Sequence, residues 1–250
     1  MRTPSLSFAE GITTANLGKP DVGRALEQHA AYVEALRGCG LEVMSLPADE
    51  DFPDSTFVED TAVLTAKWGV IARPGASSRM GEILPMRKVL ETRFTDLTAI
   101  EAPGTLDGGD VCEWEGEFWV GLSGRTNEEG AAQFKRIVEA HGATCQIIDI
   151  QKVPGLLHLK TAVARVAPGL MVASGPVRLD AALSGLEVVE PGEGESYAAN
   201  CVRVNDRVLV AAGHPNLTNA LKNKGLTVVE VEMSEFQKMD GGLSCLSLRY

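Results

Sequence analysis

Cysteine is scarce in this 250-residue sequence and never closely paired: Cys39, Cys112, Cys145, Cys201 and Cys245 are odd in number, scattered and without a CxxC motif. The spacing argues against both a disulfide framework and a structural zinc site, and most of these side chains are expected to be small core residues. Clusters of Lys and Arg are missing as well. With a net charge of −11 and a pI near 4.9, the surface repels a polyanion such as nucleic acid and favours a cationic ligand. No apolar run approaches the roughly 20 residues of a membrane span. The opening Met1-Arg2-Thr3-Pro4-Ser5-Leu6-Ser7-Phe8-Ala9-Glu10 lacks the continuous apolar stretch of a signal peptide, so no membrane partner and a cytoplasmic location are expected. Low-complexity stretches and obvious linkers are absent too. At 44% hydrophobic content the chain can bury a sizeable core, and residues 1–250 are expected to form a single domain.

What is present repeats. One unit reads Phe57-Val58-Glu59-Asp60-Thr61-Ala62-Val63-Leu64, then an apolar stretch from Gly69, a helical stretch near Glu82–Thr92, and Leu97-Thr98-Ala99-Ile100. That is strand, strand, helix, strand. The same order runs from Leu106 to Ile148 around a helix over Glu128–Ala140. Two further copies begin at Leu157 and Ala198, with second strands at Leu170–Ala173 and Val208–Ala211. A fifth copy is split between the termini: its helix is Val22–Arg37, its third strand Leu41–Leu46, and its first strand Leu243–Leu248. The pattern predicts an α/β fold, a five-bladed propeller of ββαβ units whose first strands line a central channel, closed by both chain ends.

The helices follow from pattern. In Asp21–Cys39 the apolar positions Val22, Leu26, Val33 and Leu36, with Ala25 and Ala30, keep to one face. Asp21 is the expected N-cap, and Gly38 or Gly40 the end. Over Glu128–Ala140, Ala131, Phe134, Ile137 and Val138 form one stripe behind an Asn127 cap.

Each unit sets a polar residue at its first strand: Asp60, Asp110 with Asp107, His158, Asn200 and Cys245, at separations of 50, 48, 42 and 45 residues. If equivalent positions meet at the axis, a nucleophile, a base and a charge anchor converge. Taken singly, each has an ordinary structural reading: Asp107-Gly108-Gly109 is a turn, His158 a satisfied core histidine, and Cys245, between Leu243 and Leu246, a core thiol.

The segment Asp240-Gly241-Gly242-Leu243-Ser244-Cys245-Leu246-Ser247-Leu248-Arg249 resembles the nucleophile segment of the dimethylarginine dimethylaminohydrolases, a family of the guanidine-modifying pentein superfamily. So do Leu157-His158-Leu159-Lys160-Thr161, Phe57-Val58-Glu59-Asp60-Thr61, Thr105-Leu106-Asp107-Gly108-Gly109-Asp110 and Ser123-Gly124-Arg125-Thr126-Asn127, in the family's order, over about Phe8 to the C-terminus. The resemblance implies the five-bladed fold and hydrolysis of N-omega-methylated arginines to citrulline and a methylamine, a chemistry tied to arginine metabolism and nitric oxide regulation. It implies Cys245 as nucleophile, His158 as general acid and base, and Asp107 as the carboxylate that orients His158. Asp54, Glu59 and Asp60 would hold the guanidinium and amino ends of the substrate. Arg79 and Arg125 would take its carboxylate, and the backbone carbonyls of Leu17 and Met239 its amino group. The partner is thus a small molecule, and a homodimer is compatible. Arginine deiminases and amidinotransferases share the fold and a similar Cys/His set, so the leaving group stays open between ammonia and a methylamine. Ribosome-binding members lack the catalytic residues, and the presence of both Cys245 and His158 argues against that reading.

The chemistry fits these residue types independently. Resonance makes a guanidinium carbon a poor electrophile, so the reaction needs a strong soft nucleophile and carboxylates that pin the cation. Neither a metal nor an organic cofactor is required. An arginine pair can bind a carboxylate through paired charge-assisted bonds, which selects a free amino acid over a peptide side chain.

Overall fold

The computed structural model of the chain describes residues 1–175, Val177 and residues 185–250. Helix α1 (Val22–Gly38) comes first, capped as expected by Asp21, whose side chain accepts from the Arg24 amide at 2.9 Å. Two segments of one design follow. The first has strands β1 (Ala62–Leu64) and β2 (Gly69–Ile71), helix α2 (Ile83–Leu90) and strand β3 (Leu97–Ala99); the second has β4 (Val111–Trp114), β5 (Glu117–Leu122), α3 (Glu128–Ala140) and β6 (Thr144–Asp149). In the third, the single turn α4 (Leu159–Ala162) leads to β7 (Val163–Ala167), β8 (Leu170–Ala173) and β9 (Glu187–Val189). The fourth contains β10 (Val202–Val204), β11 (Arg207–Ala211), α5 (Pro215–Asn223) and β12 (Thr227–Val231), and the short α6 (Ser234–Gln237) follows.

Among the described residues the strands form four three-stranded sheets, each with an antiparallel first pair and a parallel second pair. In the first, second and fourth segments this is the ββαβ order read from the sequence, and it makes the molecule an α/β protein. Two details differ. Leu243–Leu248 is not a strand: Ser244–Leu246 forms a 3-10 turn, and residues 247–250 follow in irregular conformation. The third strand expected at Leu41–Leu46 is reduced to one parallel bridge, Arg2 to Leu46, with Thr3 N to Leu46 O at 3.1 Å and Leu46 N to Met1 O at 2.9 Å. Residues 1–3 thus take the second-strand role that the sequence left unassigned, because three residues carry no readable period.

The chain divides into two compact units, Met1–Thr56 with Thr161–Leu246, and Phe57–Lys160 with Ser247–Tyr250. In the latter, Val70, Val111, Phe118 and Val120 from the sheets pack on Ala131, Phe134 and Val138 of α3, with Cys145 among them. Phe118 and Phe134 meet edge to face at 5.8 Å. Burying each such ring contributes about 1.5–3 kcal/mol. In the former, Val166, Val172, Val208 and Val210 pack on Leu217 and Leu221 of α5, around Cys201. Cys39, Cys145 and Cys201 are all buried.

Helix α1 belongs to the former unit; of its expected stripe Ala25, Val33 and Leu36 are buried, Val22 and Leu26 half-buried and Ala30 exposed, and Gln28, His29 and Tyr32 join the buried face. Polar bonds turn it. The Gln28 amide donates to Ser234 Oγ at 2.8 Å and accepts from Glu235 N at 3.0 Å, and Tyr32 Oη donates to Leu243 O at 2.8 Å. These bonds tie an early helix to Ser234, Glu235 and Leu243 near the other end of the chain. Among the described residues no helix is long and apolar enough to cross a membrane.

Candidate active site

The polar residues sit on or beside single helical turns, which in the four sheet-forming segments precede the first strand. Val58–Thr61 carries Glu59 and Asp60, Gly108–Asp110 follows Asp107, α4 follows His158, Ser196–Ala199 precedes Asn200, and Ser244–Leu246 carries Cys245. A strand would point alternate residues to opposite faces. A tight turn lets consecutive side chains such as Glu59 and Asp60 both be held.

The unit formed by Phe57–Lys160 collects most of the charged residues. His158 Nε2 lies 3.0 Å from Asp107 Oδ2, and its Nδ1 lies 3.9 Å from Asp60 Oδ1. Asp107, wholly buried, is itself fixed: Oδ1 accepts from Gly75 N at 2.8 Å, and its amide donates to Thr126 Oγ1 at 3.1 Å. Burial alone would lower the imidazole pKa, but Asp60, Asp110 and Asp107 outweigh it and raise it to about 9. The ring is therefore a cation at neutral pH. Gly109 makes the approach feasible, since a Cβ there would fall 2.6 Å from His158 Nδ1.

Asp110 holds the frame around this pair. Its Oδ2 accepts from Ser123 Oγ and Thr126 Oγ1, both at 2.6 Å, and its Oδ1 accepts from Leu159 N at 3.0 Å. Burial raises its pKa to about 6 against the opposing effects of His158 and these donors. Ser123 Oγ in turn accepts from Arg125 N at 2.9 Å, which shapes the loop bearing Arg125.

Arg79 is buried and heavily committed. Its guanidinium donates twice to Glu82 (2.9 and 2.8 Å), to Asp60 Oδ2 at 2.5 Å and to Phe57 O at 3.0 Å. Arg125 is half-exposed and, among the described residues, forms no ion pair. The two arginines expected to share one task thus stand in different settings. Glu59 is buried and paired with Lys160 Nζ at 2.7 Å, and that ammonium also donates to Gly108 O at 3.1 Å. For Asp60, burial would raise the pKa, but His158 and Arg79 prevail and hold it below the usual carboxylate range.

Asp60, Asp107 and His158 each offer a ligand-type atom within 4.8 Å of the others. Their mutual contacts and the bonds to Arg79, Gly75 and Gly109 account for the arrangement as a histidine held by carboxylates.

The other unit holds Cys245. Its sulfur receives the Gly242 N–H at 3.3 Å. Asp54 is buried, and both its oxygens accept from Ile12 N, at 3.1 and 3.2 Å. Met239 is buried with its amide bonded to Phe236 O at 2.9 Å, and its Cε would lie 3.2 Å from a Cβ added at Gly11. Leu17 is exposed in the loop before α1.

Sequence reasoning passed over Glu82 and Lys160. Lys160 had a signal: it follows Asp110 by 50 residues, the interval that separates Asp60 from Asp110. The bonds agree, since Asp60 accepts from the residue before Asp110, and Asp110 from the residue before Lys160. Lys160, not His158, is therefore the third member of the repeat.

No protein-family model matches the chain. Among curated proteins, a dimethylarginine dimethylaminohydrolase of Pseudomonas aeruginosa is 42% identical over 250 residues, covering 100% of this chain and 97% of the relative. The chain belongs to the dimethylarginine dimethylaminohydrolase family. A Streptomyces coelicolor member is 37% identical, covering 100% of this chain and 95% of its own length. A solved structure of the Pseudomonas aeruginosa family member, a cysteine-to-serine variant complexed with citrulline, matches with a TM-score of 0.97 at 42% identity, covering 100% of this chain and 97% of that one. The family thus contains a protein of this shape that holds citrulline.

Proposed function

We propose that this chain hydrolyses N-omega-methylated arginine to citrulline and dimethylamine or methylamine. The observation that carries the reading is His158, buried, held by Asp107 at 3.0 Å and cationic at neutral pH. Such a group meets a departing amine as an acid. In this reading Cys245 gives up its proton to solvent as the cationic substrate binds, and the thiolate attacks the guanidinium carbon to give a neutral tetrahedral adduct. The C–N bond to the methylated nitrogen then breaks as that nitrogen takes the His158 proton, and a thiouronium is left on Cys245. The neutral imidazole next takes a proton from water, whose oxygen adds to the same carbon. Cleavage of the C–S bond releases citrulline and returns the thiol. The substrate's positive charge beside the sulfur favours the thiolate, so binding promotes attack. Asp54, Glu59 and Asp60 hold the cationic ends of the substrate, Arg125 answers its carboxylate while Arg79, committed to Asp60 and Glu82, holds those carboxylates in place, and the carbonyls of Leu17 and Met239 take its amino group.

The test is incubation with asymmetric dimethylarginine, monomethylarginine and arginine, followed by a colour reaction for citrulline. The methylated substrates should give citrulline faster than arginine does, Cys245→Ser should be inactive, and Cys201→Ser should keep its activity. Burial pushes the Cys201 thiol up to about 12, which leaves it inert. Citrulline from arginine alone would replace this reading with a deiminase, and turnover by Cys245→Ser would displace the nucleophile.

A further inference from the structure

One kind of staple recurs in the chain: a side-chain oxygen just before a first strand accepts the backbone N–H at the matching turn of the next segment. Asp60 Oδ1 takes Gly109 N at 3.0 Å, Asp110 Oδ1 takes Leu159 N at 3.0 Å, and Asn200 Oδ1 takes Ser244 N at 2.8 Å. The first two are carboxylates, and both contribute to keeping His158 cationic. The third is an amide, and the turn it holds carries Cys245.

Several contacts make Asn200 a tight clamp. It is buried, and its Nδ2 donates to Ser244 Oγ at 3.0 Å. From the same turn, Tyr197 Oη donates to Gly241 O at 2.8 Å. The backbone lies against the amide so closely that a Cβ at Gly242 would come within 2.5 Å of Asn200 Cγ. Held there, Gly242 directs its N–H at the Cys245 sulfur at 3.3 Å. An amide N–H aimed at sulfur stabilises a thiolate more than a thiol, because hydrogen bonds to the ionised form favour it.

A carboxylate would make the same backbone bond, as Asp60 and Asp110 do, but it would place a negative charge beside the group that has to become an anion. Tyr197 is kept protonated by burial and by the charge of a Cys245 thiolate. Glu195 caps α5 through Asn216 N and Leu217 N, Asp240 accepts from Thr14, and Asp54 from Ile12. We propose that Asn200 is a positioning residue of the reaction, whose neutral amide fixes the Cys245 turn with Gly242 N–H on the sulfur while bringing no charge to oppose the thiolate. This rests on the reading of Cys245 as nucleophile.

The experiment compares Asn200→Asp, Ser244→Ala and the parent in the full chain by three measurements: the thermal transition, steady-state kinetics, and the pH dependence of Cys245 alkylation by iodoacetamide, located by peptide mass spectrometry. For Asn200→Asp the alkylation midpoint should rise by about one pH unit, with kcat/KM about tenfold lower at neutral pH and recovering as pH is raised. A merely structural role would not restore activity with pH. An Asn200→Asp variant that keeps the parent's alkylation profile and kcat/KM overturns the proposal. If that variant does not fold, Ser244→Ala decides: loosening the turn should lower kcat severalfold with KM unchanged, and an unchanged kcat overturns the proposal. Turnover by Cys245→Ser would sink the nucleophile reading instead, while the alkylation midpoints would still report whether Asn200 governs the thiol.

Discussion

Arg79 and Arg125 carry the same guanidinium in opposite circumstances. Removing Arg79 strips the partner from Asp60 and Glu82, two buried carboxylates, and breaking such a pair costs about 3–5 kcal/mol. Arg79→Ala should therefore lower the urea midpoint sharply, whatever it does to turnover. Arg125 is half-exposed, and its loop is shaped through its backbone N–H to Ser123 Oγ, which the mutation leaves in place. Arg125→Ala should keep the parent's stability, raise KM about tenfold or more and leave kcat nearly unchanged, since a charge-assisted bond is worth about 1.5–3 kcal/mol. A stable Arg79→Ala variant, or an Arg125→Ala variant with normal KM, would reverse this division. The chemistry of such residues was legible from type and motif, whereas their partners were not. Glu82 stands three residues after Arg79, a spacing that one helical turn brings together, but nothing local marks Lys160 as the partner of Glu59 across 101 positions. The His158–Asp107 pair, 51 positions apart, was suggested by the repeat, which sets both at first strands, and received its roles from the family resemblance.

At the level of elements, the strands were readable because Val, Ile and Leu recur in short runs bounded by turn residues, and the order of four sheets follows directly. The turns bearing the polar residues were hidden inside those runs. A 3-10 turn of three or four residues has no period of its own, so Val58–Thr61 and Ser244–Leu246 read as strand beginnings. Their packing rests on close backbone approach at glycine. A Cβ at Gly108 would meet Glu59 O at 2.0 Å, a clash with main chain that no rotamer relieves. Gly108→Ala should destabilise by about 1–3 kcal/mol or more and lower activity by pushing the Asp60 and Asp107 turns apart. Gly38→Ala, at the end of α1 with open space around it, should be neutral or stabilising by up to about 1 kcal/mol. Equal effects of the two in urea titrations would show that close approach between the turns is not what requires glycine.

For the molecule as a whole, the net charge of −11 predicts little about how stability depends on pH, because the buried groups dominate it. His158 is raised from 6.5 to about 9 in the folded state. A group with a raised folded pKa adds stability that is fully present below its unfolded value and lost as pH climbs through the folded one, so the His158 contribution fades between about pH 6.5 and 9. His141 shifts in the same direction through its bonds to Ile137 O and Asp96, but it lies near the surface, where solvent screens the effect. The Met1 amino group runs the other way: burial, then Arg2, lowers it from 8.0 to about 6, so its penalty is relieved over part of the same window. Asp110, raised to about 6, has already exacted its cost below that window. The slope of stability against pH is therefore a sum, and the His158 share is isolated only by difference. His158→Gln keeps a hydrogen-bonding side chain of similar reach but cannot titrate. Urea midpoints at pH 6, 7.5 and 9 should fall more steeply for the parent than for His158→Gln, with the two curves converging toward pH 9. Parallel curves across that range would mean that His158 is not held as a cation by Asp60, Asp107 and Asp110, and its role as the resting acid would fall with it.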